Sequence, residues 1–151
     1  MADEQQPVFT IEKLYVKDLS VEVPNAPEIY LARETPEMEV NMSSESRALN
    51  EDIYHSSITV TITAKVGDKI MFLVECTQGG IFRIQNVPED QLPMVLGIGC
   101  PNIVFPYLRE TVSDVVTRAG FAPLILNPVN FEALFLQQQQ AQQQAAPEQT
   151  H

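Results

Sequence analysis

The sequence predicts an α+β fold: a four-stranded antiparallel sheet packed on one face by a long helix, with a second helix near the C-terminus. Three observations predict it. Two-residue alternation of apolar and polar side chains, the signature of strands, fills the N-terminal part of the chain. Helical spacing begins only at Pro88, and strands followed by helices read as α+β with a meander-like sheet. Thirdly, the stretch from Ile70 to Cys76 is apolar on both faces. Ile70, Phe72, Val74 and Cys76 point one way, and Met71 and Leu73 point the other way with Glu75. Such a strand usually has both faces covered. Its hairpin partner, Ile58 to Ala64, is nevertheless apolar on one face and threonine on the other. One sheet face is thus an ordinary core face, while the other has the mixed greasy, polar and acidic character of a surface that meets partners.

Phe9 to Val23 is the first strand region. The apolar parity changes between Ile11 and Leu19, so a bulge or strong bend is expected there. Beyond it, Asp18, Ser20 and Glu22 face away from Leu19, Val21 and Val23. Pro24-Asn25-Ala26-Pro27 must leave the sheet, since proline donates nothing to a ladder, and Glu28 to Ala32 is a connection. The second strand runs from Pro36 to Met42, with Met38, Val40 and Met42 on one side and Glu37, Glu39 and Asn41 on the other. Ser43 to Asp52 reads as a polar link. Strands three and four join through Val66-Gly67-Asp68-Lys69, and Gly79-Gly80 interrupts strand four with a bulge or a close backbone approach.

Pro88-Glu89-Asp90 suits the first turn of a helix, which Gly97, Gly99 and Pro101 break. A longer helix follows to Ala119, with Leu108, Val112, Val115, Val116 and Ala119 at helical spacing and Gly120 as its stop. Phe121 to Pro128 is extended and apolar, and Asn130 caps a last amphipathic segment presenting Phe131, Leu134 and Phe135. The expected organisation is a flexible N-terminus over residues 1–8, one domain over 9–136, and a disordered Gln-rich tail over 137–151, where nothing apolar drives packing.

The 151 residues carry 9 Lys and Arg against 20 Asp and Glu, a formal net charge of -11 that repels nucleic-acid phosphates and anionic lipid. No apolar run reaches the roughly 18 residues of a membrane span. The residues from Met1 to Pro7 have no basic or apolar region of an export signal, so a cytoplasmic protein is expected.

Little in the sequence points to catalysis. Cys76 and Cys100 have no metal-ligand spacing and read as reduced, buried small hydrophobes. A nucleophilic thiol needs a base, and only His55 in a strand and His151 at the chain end exist. Phosphate-loop, zinc-protease and serine-hydrolase motifs are missing. Glu110 and Asp114 lie one helical turn apart, but with Arg109 and Arg118 beside them they read better as a solvated or inter-subunit helix face. No catalytic residue, metal or cofactor is expected, and binding is favoured over catalysis. Two features stay open at this level. The acids Asp18, Glu22 and Glu75, taken alone, read more readily as solubility charge than as a docking patch. Met38, Val40 and Met42 read equally as core or as an adaptable groove, since methionine is flexible and polarizable.

Separate motifs, in order, then point to one family. Gln78-Gly79-Gly80-Ile81-Phe82, the stretch from Cys100 to Tyr107, and Arg109-Glu110 resemble the SecB family of bacterial export chaperones. Lys17-Asp18-Leu19-Ser20, Pro24-Asn25-Ala26-Pro27 and Pro128-Val129-Asn130-Phe131 add to the resemblance, which spans nearly all of residues 7–140. It implies a homotetramer, a dimer of dimers, that binds unfolded preproteins without ATP, keeps them translocation-competent and delivers them to the SecA motor. The family's SecA contact falls on Asp18, Glu22, Leu73 and Glu75, its client contacts on Met38, Val40 and Met42, and its assembly-linked positions on Cys76 and Gln78. The chain departs from the resemblance at Glu34, where well-known members carry tryptophan, and in its Gln-rich tail. Two rivals remain: a small enzyme or ligand carrier depending on Cys100, Glu110 or Asp114, and a SecB-like chaperone devoted to a toxin–antitoxin pair.

Overall fold

The computed structural model describes residues 5–145. The four long strands are β1 (Val8–Glu22), β2 (Glu37–Asn50), β3 (Ile53–Val66) and β4 (Lys69–Gln85). They form one antiparallel sheet in the order β1-β4-β3-β2. This corrects the simple meander. β1 pairs with β4, so the connection from Val23 to Pro36 carries the chain from one sheet edge to the other. The crossover is held down by a 3-10 turn (Glu28–Leu31) whose Ile29 is buried. Tyr30 in that turn donates its hydroxyl to the Ala119 carbonyl at 2.6 Å and stacks on Phe121 at 5.1 Å.

The expected parity change in β1 is present as two register shifts, between Ile11 and Lys13 and between Val16 and Asp18. The residues from Ser43 to Asn50 are not a link. They continue β2, and the chain turns at Glu51-Asp52 with Asp52 at φ 64°. Polarity misled here because an edge strand can alternate two polar faces once it passes beyond the core. The Val66-Gly67-Asp68-Lys69 turn is present, with Gly67 at φ 62° in the left-handed region that favours glycine.

β4 is continuous through Gly79 and Gly80, which pair with Ser57 and Ser56. The glycines serve close approach instead of interruption: a Cβ on Gly79 would stand 2.7 Å from the Tyr15 ring, and one on Gly80 2.8 Å from the Phe82 ring. A register shift lies elsewhere, beside the hairpin, where Ala64 pairs with Phe72 and Lys65 with Ile70. Met71 is the extra residue, and it rather than Ile70 joins the core. One inserted residue thus reverses the face assignment of both side chains.

The glycines at 97 and 99 do not break the helical path. A single turn α1 (Leu92–Met94) passes through a π-helical turn (Val95–Gly99) into α2 (Cys100–Arg118), where the Cys100 amide donates to the Val95 carbonyl. Cys100, Val104, Leu108, Val112, Val115 and Val116 form the buried stripe of α2. That stripe packs over Phe72, Val74 and Cys76 of β4 and Ile58, Val60 and Ile62 of β3. Gly120, at φ 97°, ends the helix as expected. The Asn130 side chain accepts from the Ala133 amide at 2.9 Å and caps α3 (Phe131–Ala145). α3 carries on through the glutamines, past the boundary expected at Gln137; residues 146–151 and 1–4 lie outside the described residues.

Candidate functional site

The register sorts the sheet into two faces. On the helix-bearing face, Met38 pairs with Ala64, Val40 with Ile62 and Met42 with Val60, so all three β2 residues share the core side. β2 is the edge strand, and α2 lies over β3 and β4. Met38 and Val40 are therefore 47% and 45% exposed, while Met42 is half-buried against the core. Met38, Val40 and Met42 all line an open groove, with Met42 also packed against the core.

The opposite wall was not singled out from the sequence. It consists of the extended segment after α2, with Leu124, Ile125 and Leu126, and of Phe131 and Leu134 on α3. The signal was present in the apolar run from Phe121 to Leu126, but only the fold brings it to β2. The groove between the walls encloses about 670 Å³. Ile125 stands 68% exposed at its mouth. A second absent Cβ sets the position of α3, since one on Gly97 would lie 2.6 Å from the Phe135 ring. The bare π-turn lets that ring approach and keeps α3 against the groove.

On the helix-free face, Asp18 pairs with Thr77, Ser20 with Glu75, and Glu22 with Leu73. Asp18, Glu22, Leu73 and Glu75 thus occupy adjacent positions on two neighbouring strands, with Glu75 diagonal to both other acids. The three carboxylates are exposed and Leu73 is half-buried among them. Threonines at 59, 61 and 63 continue this face over β3.

Cys76 and Gln78 are buried within the chain on the helix-bearing side. They pair with Leu19 and Val16 of β1. With Phe9 and Ile11, those two side chains make an exposed apolar row along the β1 edge, each 41–45% exposed. The Gln78 Oε1 and Ser56 Oγ atoms are buried without a hydrogen-bond partner.

Nothing in the arrangement activates a nucleophile. Burial pushes the Cys76 thiol up to about 11, with Asp18 adding to the shift, and the Cys100 thiol up to about 12. Burial likewise lowers the His55 pKa, assisted by Arg47 and Lys17 and opposed by Glu45. The Tyr15 hydroxyl and His55 Nε2 are 2.6 Å apart. Asp114 is engaged by Arg118 at 2.9 Å on the exposed side of α2, as a solvated helix face would have it. Glu34, the departure from the resemblance, lines a separate hollow of mixed character with Asn25, Glu28 and Lys69 beside Leu31 and Val66. Among the described residues no cluster of side chains could hold a metal ion, and no helix is long and apolar enough to cross a membrane.

Comparison with known proteins gives the family. The family model of the preprotein translocase subunit SecB matches residues 2–143. This chain belongs to the SecB family. It is 84% identical to the protein-export protein SecB of Thiobacillus denitrificans, with all of both chains covered. The SecB of Nitrosospira multiformis is 63% identical over 98% of this chain and 94% of its own. That of Neisseria meningitidis serogroup B is 54% identical over 94% and 97%. Among solved structures, a SecB-like chaperone of Mycobacterium tuberculosis, in complex with a peptide from an antitoxin, superposes with a TM-score of 0.65. It covers 80% of this chain and 90% of that one at 15% identity, a likeness of fold. SecB is a family of protein-export chaperones, not of enzymes, which removes the rival that rested on Cys100, Glu110 and Asp114.

Proposed function

We propose that this SecB-family chaperone takes extended segments of unfolded preproteins into the groove beside Met38 and Val40 and hands them to SecA through Asp18, Glu22, Leu73 and Glu75. The observation that carries the reading is that groove and acidic patch lie on opposite faces of one sheet. A client in the groove leaves the acidic face free, so holding and docking need not compete. Client apolar side chains entering the groove gain about 25 cal/mol for each Å² removed from water. No ATP is needed, because many weak contacts along one client raise the effective concentration of the next. The acids supply capture rate and partner choice more than affinity.

The working unit is a cytoplasmic homotetramer, a dimer of dimers. The apolar row along β1, open in the single chain, is a surface that a further copy would bury. Cys76 and Gln78 lie beside its Leu19 and Val16 on the neighbouring strand and are buried, so they would act on assembly through β1 and not by touching a partner. The test combines refolding and docking. The purified protein should migrate as a tetramer and block refolding of a denatured precursor. Glu75→Lys should weaken SecA binding in calorimetry and leave that block intact. SecA affinity unchanged by Glu75→Lys and Asp18→Lys would remove the acidic patch from the reading.

A further inference from the structure

The helix-free face carries a second charged region that the acidic patch does not account for. In the row formed by Lys13, Ile81, His55 and Arg47, cations stand on both outer strands. Lys17 follows four residues along β1, in the register shift directly before Asp18. All three cations are exposed. They are a third of the nine Lys and Arg in a protein of net charge -11; Lys13 and Arg47 end one row, and Lys17 lies near enough to act on the His55 between them. Arg83, the next cation at this end, is neutralised by Glu12 at 2.9 Å, while Glu45 lies beside Arg47 and Asp18 directly follows Lys17, where the acidic patch begins. At the other end the same face carries Asp18, Glu22, Glu39 and Glu75.

The floor between the cations is low. Gly79 has no side chain, Ser57 is small and buried, and the hydrogen-bonded Tyr15 and His55 rings complete it. Burial, with help from Arg47 and Lys17, lowers the His55 pKa, so His55 adds packing there and not charge at neutral pH. Lys13 and Arg47 are separated by three strand spacings, about 14 Å, which is the length of four or five residues of extended chain.

We infer that this basic end holds a short acidic segment of the same partner that meets Asp18, Glu22, Leu73 and Glu75, so that the partner docks in one orientation on a two-ended face. The inference rests on the docking reading above and names the chemistry of the partner's second contact. A second copy of this chain does not suit the face, because the threonine-rich strip between the ends offers little apolar area to a stable dimer.

The experiment titrates purified SecA into the full-length chaperone at about 0.05 and 0.3 M salt. It compares Lys13→Glu with Lys17→Glu, Arg47→Glu, the triple variant and Glu75→Lys, with refolding block as the check that clients are still held. The triple variant is expected to lose about tenfold in affinity at low salt and much less at high salt, because exposed pairs are screened. Weakening by both the triple variant and Glu75→Lys supports the two-ended face. Weakening by the triple variant alone supports the basic contact and overturns the acidic one. Weakening by Glu75→Lys alone, with the triple variant unchanged or tighter, overturns the inference and leaves the docking reading standing. No effect from either overturns both.

Discussion

Truncating both Met38 and Val40 to alanine is the sharpest perturbation of the groove, because these side chains are half in and half out of the fold. Full burial of an aliphatic side chain is worth about 1.5–3 kcal/mol. Exposures of 47% and 45% leave about half of that, roughly 0.7–1.5 kcal/mol each, for a client to realise. Alanine keeps the Cβ, so the pair should cost near the lower bound, about 1.5 kcal/mol or tenfold in Kd. The buried halves are lost from the fold as well, lowering the melting temperature by about 2–6 °C. Met42 is left intact because it packs against the core and would confound folding with binding. The assay is fluorescence anisotropy with a labelled, unfolded precursor segment, run beside a circular-dichroism melt. Client affinity within twofold of the parent chain, with a melt lowered as expected, would refute the groove. A variant that fails to fold would refute the exposures on which the magnitude rests.

Other expectations follow from single contacts. Gly79→Ala should destabilise the chain by about 1–3 kcal/mol, since the new Cβ would lie 2.7 Å from Tyr15. Denaturant melts of Gly79→Ala with and without Tyr15→Ala should show the second change recovering part of the loss. His55 has a folded pKa below its ordinary 6.5, so between the two values the unfolded chain binds the proton and the folded one does not. Its contribution to stability is therefore present above pH 6.5 and lost as pH falls below it. Unfolding curves from pH 7.5 to 5 should flatten in His55→Gln. With thiols raised to about 11 and 12, Cys76 and Cys100 should resist a disulfide reagent at pH 8 in the native state and react in denaturant.

The sequence by itself determined which residues alternate over most strands, where α2 ends and α3 begins, and the family. Leu19 and Val21 announced one face of β1, Gly120 the end of α2 and Asn130 the cap of α3, because each is a local matter of period or backbone freedom. Each half of the acidic patch was legible in the same way, Asp18 with Glu22 and Leu73 with Glu75 sharing a face of a single strand, but only the pairing of β1 with β4 joins the halves.

Tertiary structure decided what depends on register and on neighbours distant in sequence. The bulge that exchanges Met71 for Ile70 is a property of two strands together, and so is the strand order that puts β1 beside β4. Polar Ser43 to Asn50 became strand because β3 supplied a ladder to pair with. Gly97 and Gly99 stayed helical because a π-turn could absorb them while Phe135 filled the space above Gly97. Above all, Met38 and Val40 carry the same alternation as any core strand. Only their place on an edge that α2 does not reach leaves them open, because burial is set by what lies across the sheet and not by the strand's own sequence.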